Sequence, residues 1–299
     1  RRKFKRAAEA RWPQRALTMA GVVPAIFICP FCAANCEKDN RVMPSPVTAL
    51  PDMLKTGKPI WLGWSGITDP LIPGLMARAG FDAVLLDQQH GNHDISSCMA
   101  GISEVTLVGK PCLARIGVGD FAMASRLLDA GAAGVVAPMI NSVADAKAFA
   151  ASMKLPPVGE RSWGPARALA LTGMSLPDYL KTANQFSLAI AMCETKEAIA
   201  ALDDIMAVPG IDGILTGPSD LSVALSNGSS IDGLSDSVFE TMADIGRRVR
   251  KAGKIACAYG ASPQRARQLV DAGYQIVCVQ NDQQLIRAGF EAALKAAKG

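Results

Sequence analysis

Two carboxylates carry the first chemical signal in this chain. Glu194 ends the apolar run Leu188–Cys193, and Asp220 follows the run Gly213–Leu215 across Thr216-Gly217-Pro218-Ser219. Two negative charges aimed into one pocket repel unless a cation joins them. An oxygen-only pair suits Mg2+, Mn2+ or Co2+, with waters filling the remaining positions. The ordinary alternatives are that each carboxylate pairs with a lysine or arginine, or that Glu194 caps the helix suggested by Thr195–Val208. A possible base and a fixed cation accompany them. The chain has two histidines, His90 and His93. His90 directly follows a buried apolar run, where an imidazole serves as a general base or as a structural hydrogen-bonding group. His93 falls at the next helix start and reads as a bystander. Arg115 closes another apolar run, Pro111–Ile116.

The elements that must position these groups repeat eight times. Short apolar runs occur at Pro59–Gly63, Asp82–Leu86, Pro111–Ile116, Gly134–Pro138, Leu188–Cys193, Gly213–Leu215, Ile255–Ala258 and Ile276–Val279. Each is too short and too continuous for an amphipathic helix, so each predicts a strand buried on both faces. Helix-like stretches lie between them, among them Ala122–Ala130, Val143–Met153, Lys196–Val208, Val238–Ala252, Ser262–Ala272 and Gln284–Ala297. Gly80, Gly131, Gly253 and Gly273 each follow an alanine and supply left-handed helix stops. Strand then helix, repeated eight times, predicts an α/β fold, a (β/α)8 TIM barrel over residues 51–299. The rival, a doubly wound open sheet, usually carries a glycine-rich phosphate loop after its first strand, and Trp64-Ser65-Gly66 is not one.

In such a barrel chemistry gathers at the C-terminal ends of the strands. Asp87-Gln88-Gln89-His90-Gly91, Arg115, Met139 and Asn141, Glu194, Asp220, Tyr259-Gly260 and Gln280-Asn281-Asp282 all fall there. Polar groups so placed are expensive to bury without a partner or a task. None of these strand ends offers a Schiff-base lysine.

Charge and cysteine use narrow the class. The net charge of +4 comes from residues 1–45, whose nine Lys/Arg against three Asp/Glu leave the rest of the chain two charges negative. The body therefore has no basic surplus for nucleic acid, and aromatics at 5% supply few stacking platforms. Residues 1–50 read as an extension, disordered or not native, with Met43 as a native start. Its basic stretch before the apolar Met19–Ala34 has the outline of a signal peptide, but Pro24 and Pro30 interrupt it. It is also too short to assign as a membrane span. Cys29, Cys32 and Cys36 lack a fourth ligand at metal-site spacing, whereas Cys98, Cys112, Cys193, Cys257 and Cys278 read as reduced, buried thiols of a cytoplasmic enzyme.

Several stretches, in order, resemble the HpcH/HpaI aldolase family of class II pyruvate aldolases related to citrate lyase β-subunits. They are Asp87-Gln88-Gln89-His90-Gly91, Leu113-Ala114-Arg115-Ile116, Pro156-Pro157-Val158-Gly159-Glu160-Arg161-Ser162, Cys193-Glu194-Thr195 and Gly210 through Ser222. The resemblance spans Leu54 to Ala297. It implies a phosphoenolpyruvate/pyruvate-type barrel that cleaves a 4-hydroxy-2-oxo acid to pyruvate and an aldehyde, with Glu194 and Asp220 holding the metal. It further implies that the Ser219 and Asp220 N–H groups hold the carboxylate, as helix starts do. Arg115 would stabilise the developing oxyanion. His90 would take the 4-hydroxyl proton, directly or through a water, and Asp129 would orient His90. A homo-oligomer, a hexamer with the C-terminal helix exchanged, is implied as well.

Two positions depart from the family pattern. Gln89 stands where many members have a glutamate that helps order water at the metal, and Met192 stands where many have a glutamine that contacts the substrate. Two other functions remain open: a C–C lyase acting on an acyl-CoA, and a barrel that binds an oxo acid without turnover. The stretch Trp163–Tyr179 is long enough to cover the pocket, and Arg167 within it is a candidate for a second substrate carboxylate or for an exposed salt bridge.

Overall fold

The computed structural model describes residues 45–299. Eight parallel strands close into a barrel in sequence order. They are β1 (Ile60–Ser65), β2 (Ala83–Asp87), β3 (Cys112–Arg115), β4 (Gly134–Ala137), β5 (Leu188–Met192), β6 (Gly213–Thr216), β7 (Ile255–Tyr259) and β8 (Ile276–Asn281). Each contains one of the expected apolar runs or most of it. The TIM-barrel expectation is borne out, and the open-sheet rival is excluded by the pairing of β8 with β1.

The continuous hydrophobicity of the strands has a direct cause. Alternate side chains face two different apolar environments. Leu85, Leu113, Val136, Ile190 and Leu215 fill the barrel interior, whereas Val84, Leu86, Ala114, Val135 and Ala191 pack against the helices outside.

The helices are α1 (Leu50–Lys55), α2 (Leu71–Ala79), α3 (Ile95–Leu107), α4 (Phe121–Ala130), α5 (Val143–Met153), α6 (Ala166–Thr172) and α7 (Leu176–Phe186). After them come α8 (Lys196–Ala200), α9 (Leu202–Ala207), α10 (Pro218–Leu225), α11 (Asp236–Lys251), α12 (Pro263–Asp271) and α13 (Asp282–Lys298). The four expected glycine stops all adopt positive φ. The single helix expected over Lys196–Val208 is two helices meeting at Ala201.

Packing begins ahead of residue 51. Val47 in a short 3-10 turn and Leu50 at the start of α1 are both buried, and Leu50 joins the interior cluster at the N-terminal mouth. The expectations for Met43, for the apolar stretch and for Cys29, Cys32 and Cys36 lie outside the described residues. The five described cysteines are free and buried. Among the described residues, no helix is long and apolar enough to cross a membrane.

A buried cation ties together the segments that enter β5 and β6. Lys154 Nζ donates to the carbonyls of Asn184 and Ser187 at 3.0 and 2.6 Å and to Asp212 Oδ2 at 2.6 Å. All three of its protons thus have acceptors.

Candidate active site

A cavity of about 350 Å3 opens at the C-terminal ends of the strands. Trp64, Asp87, His90, Arg115, Met192, Glu194, Ser219, Asp220 and Tyr259 are among the residues that line it. Five of the seven expected site residues thus meet in one place: His90, Arg115, Glu194, Ser219 and Asp220.

The β2–β3 side of the cavity is a closed ion pair. Parallel register sets Asp87 opposite Arg115. Arg115 Nε donates to Asp87 Oδ1 at 2.8 Å, and Nη2 donates to Oδ2 at 2.6 Å. This is the two-pronged geometry that fixes a guanidinium plane. Trp64 Nε1 donates to Asp87 Oδ2 at 3.2 Å, and the Trp64 ring lies 4.8 Å beneath the Arg115 carbon. Burial pushes the Asp87 carboxyl up, but Arg115, Trp64 and the Gln89 N–H together hold it below its ordinary value. The third guanidinium nitrogen, Nη1, contacts only the Met192 thioether, at 3.9 Å.

The β5–β6 side is the reverse. Glu194 is 1% exposed, yet neither carboxylate oxygen has a hydrogen-bond partner. Burial, then the charge of Asp220, pushes its pKa up to about 7 against the pull of Arg115. The backbone makes room for it: a Cβ on Gly217 would lie 2.6 Å from Glu194 Oε2. Asp220 projects from the first turn of α10 into the same cavity. Ser219 and Asp220 occupy helix positions whose N–H groups have no intrahelical acceptor. A cation bound by Glu194 and Asp220 would satisfy the unpartnered carboxylate and relieve the repulsion between the two. The residues therefore fit a divalent metal. Among the described residues, no cluster of three or more His, Cys, Asp and Glu forms, so the pair would leave the remaining positions to water and substrate.

His90 is exposed and lines the cavity. Asp87 Oδ1 accepts the backbone N–H groups of Gln89 and His90 at 3.0 and 3.4 Å, which ties the His90 loop to the Arg115 pair. Asp129 is elsewhere. It lies in the last turn of α4, outside the cavity lining, and its Oδ1 accepts from Arg161 Nη2 at 2.6 Å. Within this chain it is therefore engaged by Arg161 rather than by His90. Gln89 is also off the cavity lining, with its side-chain oxygen buried and unpartnered.

Arg167 does not face the cavity. It donates to the carbonyls of Ala130 and Met99 and to Ser103 Oγ, pinning α6 to α3 and α4. The Trp163–Tyr179 stretch is likewise no pocket cover. Ala168 and Tyr179 pack with Val47, Ala183 and Phe186 in a separate apolar cluster.

Five contributors were not assigned from sequence. Asp87 was readable as part of the strand-end cluster, but its bond to Arg115 depends on strand register. Trp64 and Tyr259 stack edge to face at 5.4 Å and form one wall of the cavity. Asp282 and His93 are buried polar residues next to Ser65. His93, expected as a bystander, is buried and off the cavity lining.

Comparison with known proteins agrees with this fold. The sequence model of the HpcH/HpaI aldolase/citrate lyase family matches residues 62–288. A hydroxypyruvate/pyruvate aldolase of Rhizorhabdus wittichii is 32% identical over 81% of this chain and 95% of that protein. A 4-hydroxy-2-oxo-heptane-1,7-dioate aldolase of Klebsiella pneumoniae is 30% identical over 82% of this chain and 91% of that protein. An HpcH/HpaI family structure from Burkholderia cenocepacia superposes with a TM-score of 0.76 at 25% identity, covering 84% of this chain and all of that one. With the family matched across most of the barrel, this chain belongs to the HpcH/HpaI aldolase/citrate lyase family, a family of class II pyruvate aldolases, and is a carbon–carbon lyase.

Proposed function

We propose that this protein reversibly cleaves a 4-hydroxy-2-oxo acid to pyruvate and an aldehyde, using a divalent cation held by Glu194 and Asp220. The observation that carries this reading is Glu194: a buried carboxylate without a hydrogen bond, in a cavity shared with a second carboxylate. Mg2+, Mn2+ or Co2+ would act there as a Lewis acid toward the 2-oxo group.

The chain's own groups account for the remaining steps. The N–H groups of Ser219 and Asp220 at the start of α10 receive the substrate carboxylate. His90 takes the proton from the 4-hydroxyl. The C3–C4 bond then breaks as the C4 carbonyl forms, and the electron pair moves onto C3 and the 2-oxo oxygen. Arg115, held rigid by Asp87, offers Nη1 to that growing negative charge, because its other two nitrogens are engaged. A proton delivered to C3 completes pyruvate.

The roles of Gln89 and Asp129 belong to the surroundings of His90. Gln89 follows Asp87 by two residues, and Asp129 acts through Arg161 unless assembly with another copy brings it to the histidine. The expected homo-oligomer has a supporting feature in α13, where Phe290 and Leu294 are exposed. The body's lack of basic surplus favours a small acid over an acyl-CoA.

The test is pyruvate release from 4-hydroxy-2-oxo acids after exhaustive chelation. Release should stop with EDTA and return with Mn2+ or Mg2+. Full activity in stripped protein would refute the metal-dependent reading, and turnover of a CoA thioester alone would replace the substrate.

A further inference from the structure

Helix α13 continues directly from β8 and meets the barrel through its first turn, where Leu285 packs on the core, Gln284 accepts from Tyr259 Oη and Asp282 lines the β8–β1 side of the cavity. Of its seventeen residues, Asp282 alone is buried. A carboxylate 2% exposed must find donors, and here they come from the far end of the sequence. Asp282 Oδ2 accepts from Ser65 Oγ at 3.1 Å, from Gly66 N at 2.8 Å and from Ile67 N at 2.9 Å. Its other oxygen accepts from Gln283 N at 2.8 Å.

The location explains the need. β1 pairs with β8 up to Trp64 and Asn281, with a register shift just before that point. Beyond it, no strand is left to receive the N–H groups of the β1–α2 loop. The Asp282 carboxylate takes them and so extends the seam past the end of the sheet. A carboxyl side chain is suited to this, because it carries several acceptor lone pairs on two oxygens.

The connection continues through Gly66. Its carbonyl accepts from Asn92 N at 2.9 Å. Gly91 packs so closely on it that a Cβ there would lie 2.8 Å from Gly66 Cα and 2.4 Å from the Asp87 carbonyl. Gly91 and Asn92 directly follow His90. The loop presenting His90 is therefore fixed from two sides: by Asp87 on its own strand, and by Asp282 through Gly66 from across the β8–β1 seam. Ser65 Oγ also faces the buried His93 Nε2 at 3.4 Å, and His93 Nδ1 faces Ser97 Oγ at 3.1 Å, which ties the start of α3 into the same set.

We propose that Asp282 is a positioning residue for His90, coupling the attachment of the C-terminal helix to the placement of the base. This rests on the reading of His90 as the proton acceptor.

Four variants test it: D282A, D282N, H90A and H90A/D282A. Each is measured for folding by thermal melt, for kcat of oxo-acid cleavage, and for Mn2+ and pyruvate binding by titration. D282A should lose about 100-fold in kcat, the cost of a small misplacement of a reacting group. Its Mn2+ and pyruvate affinities should stay within about twofold, because those groups lie on the β5–β6 side. D282N, whose amide oxygen still accepts the two backbone N–H groups, should regain about tenfold. The double variant should be no slower than H90A alone, the non-additivity expected when one residue acts through another. A folded D282A with wild-type kcat overturns the proposal, as does an additive double variant. So does a D282A that loses Mn2+ affinity together with kcat. Should D282A misfold, D282N at wild-type kcat beside a slow H90A is the overturning result. Full activity in H90A would instead remove the reading of His90 as base, and the positioning role with it.

Discussion

Two buried carboxylates at one rim, Asp87 and Glu194, have opposite surroundings. Asp87 accepts from both prongs of Arg115, from the Trp64 indole and from backbone N–H groups, and it is held below its ordinary pKa. Neither Glu194 oxygen has a partner in hydrogen-bond geometry, and burial and Asp220 push its pKa up to about 7 against the weaker pull of Arg115 and the Met139 backbone N–H. The protein completes the first site by itself, whereas the Glu194 oxygens of the second lack hydrogen-bond partners. Asp87 therefore serves geometry, by holding a cation in place. On the metal-dependent reading, Glu194 would serve binding, because it stays expensive to bury until a positive charge arrives.

The strongest way to break this contrast is Glu194→Gln. Turnover should fall by about 10^3-fold or more, since the Lewis acid would lose a charged ligand and several kcal/mol of transition-state stabilisation with it. Steady-state kinetics at saturating Mn2+ would measure this. The folded metal-free variant should be at least as stable as wild type, because an unpaired buried charge is removed. A clear loss of stability would place Glu194 in a structural pair instead.

Asp87→Ala should act the other way, on fold and chemistry together. It strands Arg115, 6% exposed, as an uncompensated buried cation, at a cost of about 3–5 kcal/mol. Chemical denaturation should record that loss. A variant of unchanged stability would mean that Arg115 finds another anion.

The next effect is a pH dependence. The Glu194 pKa in the folded, metal-free protein is raised from 4.5 to about 7. Between those values the folded chain keeps a proton that the unfolded chain has released, so stability falls as pH rises through this window and levels off above it. The size is at most a few kcal/mol, at about 1.4 kcal/mol per pKa unit. Thermal melts of stripped protein across this range should show the decline, and Glu194→Gln should flatten it. Asp87, whose pKa is lowered, contributes stability above its unfolded value that is lost only in stronger acid.

Met192→Leu should have the smallest effect. The thioether touches Arg115 only at 3.9 Å, and a volume-conserving apolar exchange costs less than about 1.5 kcal/mol. A kcat/KM within about tenfold of wild type is expected. A larger loss would show that the sulfur matters to substrate.

The same contrast explains what sequence could reveal. The eight strands were legible because both faces of each are buried, which leaves continuous apolar runs. Glu194 and Asp220 were legible because they follow those runs at the chemical end of the barrel. The break at Ala201 was not, since no glycine or proline marks it. The partners of Asp87 were hidden because register, not spacing, sets Arg115 opposite it. Asp282 was more distant still, since its donors lie 215 to 217 residues away. The expected Asp129–His90 pair met a competitor, Arg161, whose position depends on how the segment after α5 folds back. Arg167 reads in sequence as a partner for a substrate carboxylate or for an exposed salt bridge, whereas its partners are carbonyls on neighbouring helices.

The central claim is that Glu194 remains unpartnered to receive a divalent cation. Titration of Mn2+ into stripped protein, followed by calorimetry, tests it most directly. The account predicts one Mn2+ per chain, tighter binding when pyruvate is present, and loss of that binding in Glu194→Gln. Equal Mn2+ binding by wild type and Glu194→Gln would contradict it.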